Sequence, residues 1–402
     1  MLHHEHNRPL KPLTTFKIGG PARIFAEITD PHDLPEAFRY ADEHHLTTLV
    51  LGGGSNMLIS DRGCDGMVIQ IGNRGIEKIT NYELRITNGI RNEELGIRNK
   101  NQSDVPNSSF LIPNCLRVAS GEVWDDVVKF AVANHLWGIE NLSRIPGRTG
   151  AVAVQNVGAY GPEIKDFLVN VEVYDRKTNE FRTLTNEECC FGYRTSIFNT
   201  TEKNRYIILY TTLRLSTGPI RNLSYPDVKK RFENNPEPSQ EEIRQAIKEI
   251  RDRKFPFPAE SIEGNAGSFF KNSVLTAEAY DDLERHFVRN QPEHLDRLQQ
   301  IRHKFPSNEG IKIPSAFILE ACGLKGYHRG DVMLNPTQPV VVLNVSGEAT
   351  ADEVLSVVRE VRTIVEEKTG LHLYTEPELI GFTEEELRWY GFNDAEIARY
   401  II

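Results

Sequence analysis

Three consecutive glycines directly after a strand–helix–strand pattern constrain the fold of this chain more than any other feature. IFAEI at residues 24–28 predicts a strand, DLPEAFRYADEHH a helix with Leu34, Phe38 and Ala41 on one face, and TTLVL a second strand that ends at Leu51. GGGSN at residues 52–56 follows at once. Because glycines carry no side chain, such a run turns backbone N–H groups outward and predicts a nest for a phosphate or pyrophosphate.

The segment after the glycines argues against a Rossmann site. That fold places a helix directly after its G-x-G-x-x-G fingerprint and an acidic residue about 20 residues further on. Here MLISDRGCDGMVIQI follows, which predicts strand, turn and strand. A plain tight turn is the alternative to the phosphate nest, although three glycines exceed what a hairpin needs.

A second stretch of small residues, RIPGRTGAVAVQNVGAYGPE, covers residues 144–163. Glycines and prolines punctuate it, and its charged residues are Arg144, Arg148 and Glu163. Neutral Gly/Ala segments pack closely against a flat group or another backbone. The stretch is therefore either a buried loop or a cofactor cradle whose backbone amides face a pyrophosphate or an isoalloxazine ring.

The segment GNAGSFFKN at residues 264–272 places the hydroxyl of Ser268 among small residues. Such residues let a ligand approach the backbone closely. Phe269 and Phe270 follow and are predicted to screen the hydroxyl from water. This serine is a candidate proton donor or acceptor; the alternative is a turn serine that bonds its own backbone.

Two further charged residues are candidates for catalysis. Arg194, in GYRTSIF, is either a structural arginine that binds carbonyls or a cation that stabilises developing negative charge. Glu378, in YTEPEL, stands among apolar residues, where a carboxyl acts as an acid near neutral pH. Glu376 competes for that role, and an exposed strand-edge carboxylate is the alternative for Glu378.

Two more residues are candidates for ligand binding. Lys254 lies in EIRDRKFPFP near the predicted end of a helix, where a cation also complements the helix dipole. Tyr225, in SYPD, is either a ligand-stacking ring or a turn aromatic.

The charge balance limits the possible partners. The 402 residues carry a net charge of −10, with no basic stripe, which disfavours a nucleic-acid partner. No apolar run is long enough to span a bilayer, and MLHHEHNRPLKPLTTF lacks the apolar core of a signal peptide. We therefore expect a cytoplasmic protein with no membrane partner.

The five cysteines form no CxxC pair, so neither a zinc site nor a disulfide framework is predicted. The run HHEH at residues 3–6 is more typical of a solvated terminal tail than of a metal site. We expect no metal.

A change to Pro-rich, polar sequence predicts a domain boundary near residue 218. The expected α+β organisation has a domain at residues 1–217, a second at 218–382 and an appended C-terminal helix at 383–402. Residues 80–115, in which ELRITN is echoed by ELGIRN, are predicted to be an inserted mobile segment. Capping boxes predict helices that begin after Ser239 and Thr350, and Gly370 is predicted to end the second one.

Several motifs, taken in order, carry a family resemblance. They are TTFKIGGPA at 14–22, LGGGSNMLISD at 51–61, GIENLSRIPGRTGAVAVQNVGAYGPE at 138–163, CCFGYRTSIF at 189–198, GNAGSFFKN, SAFILEACGLKG at 315–326 and TEPE at 375–378. Together they resemble the UDP-N-acetylenolpyruvoylglucosamine reductases, or UDP-N-acetylmuramate dehydrogenases, in the subclass with a tyrosine loop. These are flavoenzymes of bacterial peptidoglycan precursor synthesis. The resemblance covers nearly the whole chain except residues 80–115 and the final stretch.

The resemblance implies an FAD-binding domain of the vanillyl-alcohol-oxidase (PCMH) type followed by a smaller α+β domain that binds a UDP-sugar. It implies non-covalent FAD, NADPH as co-substrate and, in our interpretation, a monomer. The catalytic residues would be Arg194, Ser268 and Glu378, and the substrate-binding residues Tyr225, Lys254 and Asn272. The cofactor-binding residues would be Gly52, Gly53, Gly54, Ser55, Asn56, Ile145, Pro146, Gly147, Gly150, Ala151, Gln155, Asn156, Gly158, Ala159, Tyr160 and Gly161.

Two positions depart from the family pattern. Ser273 follows Asn272 where proline is common, and Asn335 stands where histidine is more usual. The rival functions are another flavin oxidoreductase, a non-catalytic flavin or nucleotide-sugar binding protein, and a serine hydrolase. The hydrolase is disfavoured because no G-x-S-x-G elbow surrounds Ser268.

Overall fold

The computed structural model describes residues 2–85, 109–254, 257–304, 306–307 and 310–400. Contacts divide the chain into two compact units. The first unit contains Met1–Ile28, Asp33–Gln70 and Glu249–Ile402, and the second contains Thr29–His32 and Ile71–Lys248. The domain boundary expected near residue 218 stays a prediction.

The strands are β1 Glu5–Pro9, β2 Pro21–Ile28, β3 Thr48–Leu51, β4 Met57–Ile59, β5 Cys64–Ile71, β6 Ile76–Arg85, β7 Ser109–Ala119, β8 Leu168–Asp175, β9 Glu180–Thr185, β10 Tyr206–Arg214, β11 Gly264–Ser268, β12 Ser273–Leu275, β13 Pro306–Ser307, β14 Gly310–Ile313, β15 His328–Arg329, β16 Val332–Leu334, β17 Val341–Asn344 and β18 Glu378–Ile380.

The α-helices are α1 Leu34–Glu43, α2 Trp124–Ala133, α3 Thr149–Val154, α4 Pro226–Arg231, α5 Gln240–Lys254, α6 Ala277–Asn290, α7 Leu295–Lys304, α8 Ser315–Ala321, α9 Ala351–Thr369, α10 Glu384–Trp389 and α11 Asp394–Tyr400. Within the described ranges, none of these helices is both long and apolar enough to cross a membrane.

The N-terminal part of the first unit forms a sheet in the order β1-β2-β5-β3. The predicted strand–helix–strand is confirmed as β2, α1 and β3, and α1 buries Leu34, Phe38 and Ala41 as its spacing required. The tail predicted around HHEH is wrong in part, because Glu5 and His6 begin β1, where Glu5 pairs with Phe25 of β2.

The C-terminal part of the first unit contains the sheet β11-β17-β16-β15 and the smaller sheet β12-β14-β13. The long helix α9 buries Val354, Val358 and Val361 in the same core as Phe269 and Phe270. The predicted capping boxes are confirmed at the starts of α5 and α9, and Gly370 ends α9 in a left-handed conformation.

A short parallel pair joins the two chain segments of the first unit. Glu378 of β18 is the register partner of Met57 in β4, directly after the glycine run. The sequence pattern did not predict this pairing, because hydrophobic periodicity identifies a strand but not its partner.

The second unit is built around an antiparallel sheet in the order β6-β7-β10-β8-β9. Trp124, Val127 and Val128 of α2 pack in its core with Val118 and Val171. The ends of the predicted insertion at 80–115 belong to β6 and β7, whose register pairs Arg85 with Ser109. The rest of that prediction falls on residues 86–108, which lie outside the described residues.

The stretch predicted as one appended helix at 383–402 contains two described helices, α10 and α11. Gly391 stands between them with a φ of 81°, a left-handed conformation that a continuing α-helix does not adopt.

Candidate active site

The glycine run 52–56 lies in the first unit as the turn between β3 and β4. Gly54 has a φ of 58°, and a Cβ added there would stand 2.2 Å from the carbonyl oxygen of Leu13. The Gly54 carbonyl accepts a hydrogen bond from the amide of Thr15 at 3.0 Å. Packing within the protein therefore requires a glycine at position 54. The other residues of the run are half-buried: Gly52, Gly53, Ser55 and Asn56.

We expect Gly54→Ala to lower the thermal unfolding midpoint far more than Gly323→Ala. Both glycines are left-handed, with φ of 58° and 77°, so each alanine costs about 1–2 kcal/mol of backbone strain. A Cβ at Gly323 would meet no heavy atom within 4 Å, whereas one at Gly54 would overlap the Leu13 carbonyl. Melting followed by circular dichroism measures both variants, and equal shifts would contradict this explanation of Gly54.

Ser268 ends β11 and is exposed. Thr15 fixes this strand, because its carbonyl accepts from the Asn265 amide at 3.0 Å and its Oγ1 donates to the Asn265 carbonyl at 2.7 Å. Phe269 and Phe270 are each 1% exposed and pack in the core. The prediction that they screen the hydroxyl was wrong, since at this bulged edge of the strand they point into the core of the first unit.

The TEPE segment runs beside GNAGSFFKN. Phe270 and Thr375 form an antiparallel bridge, the amide of Glu376 donates to the Phe269 carbonyl at 2.9 Å, and the amide of Lys271 donates to the Tyr374 carbonyl at 2.8 Å. These bonds bring together the segments of Ser268 and Glu378.

Glu378 also borders the glycine run. Its amide donates to the carbonyl of Asn56 at 3.0 Å, and its carboxylate is half-buried. Sequence reasoning missed the residues that join these segments, Thr15 and Thr375. Thr15 stands in the motif TTFKIGGPA, which was the available signal.

Burial lowers the pKa of Lys271, and the nearby Arg399 guanidinium lowers it further. The carboxylates of Glu376, Glu378 and Glu396 act in the opposite direction. This part of the first unit therefore contains a cluster of interacting cations and carboxylates beside the candidate acid.

Two predicted substrate residues also lie in the first unit. The carbonyl of Lys254, at the end of α5, accepts from Thr337 Oγ1 at 2.8 Å. The side-chain oxygen of Asn335 accepts from the amide of Thr337 at 2.8 Å and lies 2.8 Å from Thr337 Oγ1, whose single proton the two acceptors share. Asn272 Oδ1 accepts from the amide of Ser315 at 3.1 Å, so this oxygen already serves the start of α8.

In the second unit, the Gly/Ala stretch forms the short helix α3 and the turns around it. The amide of Thr149 donates to the Glu122 carbonyl at 2.8 Å and the amide of Gly150 to the Ser120 carbonyl at 3.0 Å. These two N–H groups are used within the chain, as the buried-loop alternative requires at this point, and the cofactor role of the rest of the segment stays a prediction. The physical reason is that the start of α3 caps onto the turn before α2.

Arg194 lies in a turn closed by the Gly192–Thr195 bridge, with a φ of 57°. Its Nη2 donates to the Gly158 carbonyl at 2.7 Å and its Nη1 to the Asn156 carbonyl at 3.4 Å. The guanidinium therefore contacts the predicted cofactor segment, and it has more N–H donors than these two carbonyls accept. Its convergence with Ser268 and Glu378 stays a prediction.

The predicted cofactor segment 145–161 ends beside Tyr225, the tyrosine predicted to bind substrate. The rings of Tyr160 and Tyr225 pack edge to face with centroids 5.1 Å apart, and Tyr225 is 40% exposed. Asn141 secures the same region, because its Nδ2 donates to the Tyr160 carbonyl at 3.0 Å and to the Asn222 carbonyl at 2.8 Å.

The residues of the second unit fit a flavin nucleotide. A Cβ at Gly150 would stand 2.7 Å from the side chain of Ser120, and one at Gly158 would stand 3.3 Å from Arg194 Nη1. The Ser120 hydroxyl is buried with no partner among the described residues. Packing within the chain therefore requires both glycines, while the Ser120 hydroxyl is a buried polar group whose missing partner a bound cofactor can supply.

Metal chemistry has no candidate among the residues with described positions. No group of three or more His, Cys, Asp or Glu side chains there could hold an ion.

Two parts of the sequence match known families. Residues 258–380 match the C-terminal domain of UDP-N-acetylenolpyruvoylglucosamine reductase. Residues 112–184 match an FAD binding domain.

Curated relatives match almost the whole chain. The UDP-N-acetylenolpyruvoylglucosamine reductase of Pseudomonas syringae pv. syringae is 33% identical over 373 residues, which cover 92% of this chain and 97% of the relative. The protein of the same name from Bdellovibrio bacteriovorus is 32% identical over 374 residues, 93% of this chain and 98% of the relative.

A solved structure shares the fold. The UDP-N-acetylenolpyruvylglucosamine reductase of Thermus caldophilus superimposes with a TM-score of 0.57 at 22% identity, covering 94% of this chain and 99% of that chain. The predicted α+β fold with an FAD-binding domain is thus confirmed, as are the FAD cofactor and the oxidoreductase class. By its identity to curated relatives over nearly its full length, the chain belongs to the UDP-N-acetylenolpyruvoylglucosamine reductase family.

Proposed function

We propose that this protein uses NADPH and bound FAD to reduce UDP-N-acetyl-enolpyruvoylglucosamine to UDP-N-acetylmuramate, a step in peptidoglycan precursor synthesis. Family membership and the FAD-binding match support the proposal. The observation that carries it is the pairing of GNAGSFFKN with TEPE. This pairing joins the segment of Ser268 to the segment of Glu378 beside the glycine run.

FAD supplies the chemistry of hydride transfer from NADPH to the terminal vinyl carbon of the substrate. Ser268 donates the proton to the adjacent carbon, where negative charge develops. Glu378 polarises the substrate carboxylate or helps to supply that proton. Arg194 stabilises negative charge, and such stabilisation in a water-poor site provides much of the acceleration.

One set of residues binds FAD and another binds the UDP-sugar. The glycine run 52–56 and the segment 145–161 hold FAD through close backbone approach. Lys254 holds the diphosphate by charge, and Asn272 and Tyr225 orient the UDP-sugar. The exposed ring of Tyr225, packed on Tyr160, supports a role in covering bound substrate.

The same proposal includes the organisation of the protein. Residues 1–217 act as the FAD-binding domain and residues 218–382 as the substrate-binding domain, with 383–402 appended. The protein acts in the cytoplasm and as a monomer. Size-exclusion chromatography of the purified chain tests the monomeric state.

Anaerobic absorbance spectroscopy tests the function. We expect the purified protein to be yellow, to bleach on addition of NADPH and to regain its colour when the enolpyruvyl UDP-sugar is added. UDP-N-acetylglucosamine, which lacks the enolpyruvyl group, is the matched control and is not expected to restore the colour. Bleaching without recovery would indicate a flavin oxidoreductase with another substrate, and a colourless protein would indicate no flavin site.

A further inference from the structure

The last described helix, α11, packs against the segment that carries Glu378. Tyr400 Oη lies 2.6 Å from Thr375 Oγ1, and both side chains are buried. Arg399 Nη1 donates to the Thr375 carbonyl at 3.4 Å, and its Nη2 lies 4.0 Å from Glu378 Oε1. One helix therefore contacts both the backbone just before the candidate acid and the carboxylate of that acid.

A buried ion pair holds α11 in place. Glu396 Oε1 accepts from Arg362 Nη2 at 2.5 Å, and their side chains are 2% and 4% exposed. The other Glu396 oxygen lies 3.1 Å from His372 Nε2, close to the start of the same segment. Because buried charges of this kind require their partners, α11 has little freedom to move relative to α9 and the 372–378 segment.

The charged groups around Glu378 come from three parts of the first unit. Glu376 stands on the same segment as Glu378, Lys271 on the stretch between β11 and β12 that runs beside it, and Arg399 and Glu396 on α11. Of the two cations, Arg399 lies within ion-pair distance of the Glu378 carboxylate. It is also anchored by a backbone carbonyl and therefore offers a fixed charge.

We propose that Arg399 is a positioning residue that holds the Glu378 carboxylate in the orientation used in the reaction. This inference rests on the proposed function and adds to it a residue outside the motifs that carry the family resemblance. Glu378 is 32% exposed and Arg399 is 35% exposed, so an unrestrained carboxylate would sample several rotamers. A small misplacement of a reacting group costs rate, while a half-exposed ion pair contributes little to stability.

The full-length enzyme carrying Arg399→Ala tests the proposal. We expect kcat to fall about tenfold with KM for the UDP-sugar changed less than twofold, and flavin reduction by NADPH to keep its rate. Arg399→Lys retains the charge but not the planar fork, and we expect it to recover part of the lost kcat.

Arg388→Ala is the matched control. Arg388 lies on α10 and pairs with Glu384 at 3.4 Å and Asp394 at 3.0 Å, so it is an arginine of the same C-terminal region that contacts other carboxylates. We expect this variant to keep the kcat of the wild-type enzyme, and melting curves establish that each variant is folded.

A double-mutant cycle separates positioning from a general structural effect. If Arg399 acts through Glu378, adding Arg399→Ala to Glu378→Gln causes no further loss of kcat. A multiplicative loss in the double variant, a rise in KM alone, or an equal loss in Arg388→Ala would overturn the inference. Wild-type enzyme that is not reoxidised by the enolpyruvyl UDP-sugar would instead refute the proposed function, and the inference with it.

Discussion

In the Ser268→Ala variant we expect NADPH to bleach the bound flavin at nearly the wild-type rate, while reoxidation by the enolpyruvyl UDP-sugar slows about 10²–10⁴-fold. The reason is that the hydroxyl acts only after substrate has replaced NADPH, as the proposed proton donor to the substrate carbon. Stopped-flow absorbance measures the two half-reactions separately.

Ser356→Ala is the control for this substitution. Ser356 is a half-buried serine of α9, outside the segments assigned to the site. Both of its half-reactions should match those of the wild-type enzyme. Equal losses in the two half-reactions of Ser268→Ala would refute the assignment of this serine as the proton donor.

The second large effect is expected for Glu378→Gln. Glutamine keeps the shape of the side chain but neither exchanges a proton in this pH range nor carries charge. We expect kcat to fall about 10²–10⁴-fold, with the loss again confined to reoxidation of the flavin by substrate.

Glu376→Gln is the matched comparison, because the half-buried positions of this segment alternate with buried ones and place Glu376 and Glu378 on the same face. The amide of Glu378 bonds to Asn56 at the end of the glycine run, whereas that of Glu376 bonds to Phe269. We therefore expect Glu376→Gln to keep kcat within about threefold. A larger loss in Glu376→Gln than in Glu378→Gln would transfer the catalytic role to Glu376.

Local patterns in the sequence predicted much of the fold. The spacing of Leu34, Phe38 and Ala41 predicted α1, and the capping boxes predicted the starts of α5 and α9, because these signals lie within one or two helical turns. The end of α9 at Gly370 was equally local, since a left-handed residue stops a helix.

Long-range pairing could not be predicted in this way. Nothing in TEPEL indicates that Glu378 pairs with Met57, or that Thr375 bridges to Phe270, because a strand's pattern does not specify its partner. The role of Phe269 and Phe270 was misjudged for the same reason, since the core they fill is formed by residues distant in sequence.

For the candidate site, motif reasoning named Ser268 and Glu378, and the fold brings their segments together. It did not name Thr15, which links the glycine run to the strand of Ser268, or Arg399, which lies beside Glu378. Both act through contacts with residues far away in the chain, and a local sequence pattern does not identify such contacts.

The parallel pairing of β4 with β18 has a consequence for biosynthesis. Met57 and Glu378 are register partners, yet at about 5–20 residues per second the ribosome releases them on the order of half a minute apart. During that interval β4 presents an unpaired edge, the kind of surface that chaperones shield and that promotes aggregation. A nascent chain therefore forms the β4–β18 pair, which carries the candidate acid, only after residue 380 has emerged, and premature termination before residue 378 yields a polypeptide without that pair.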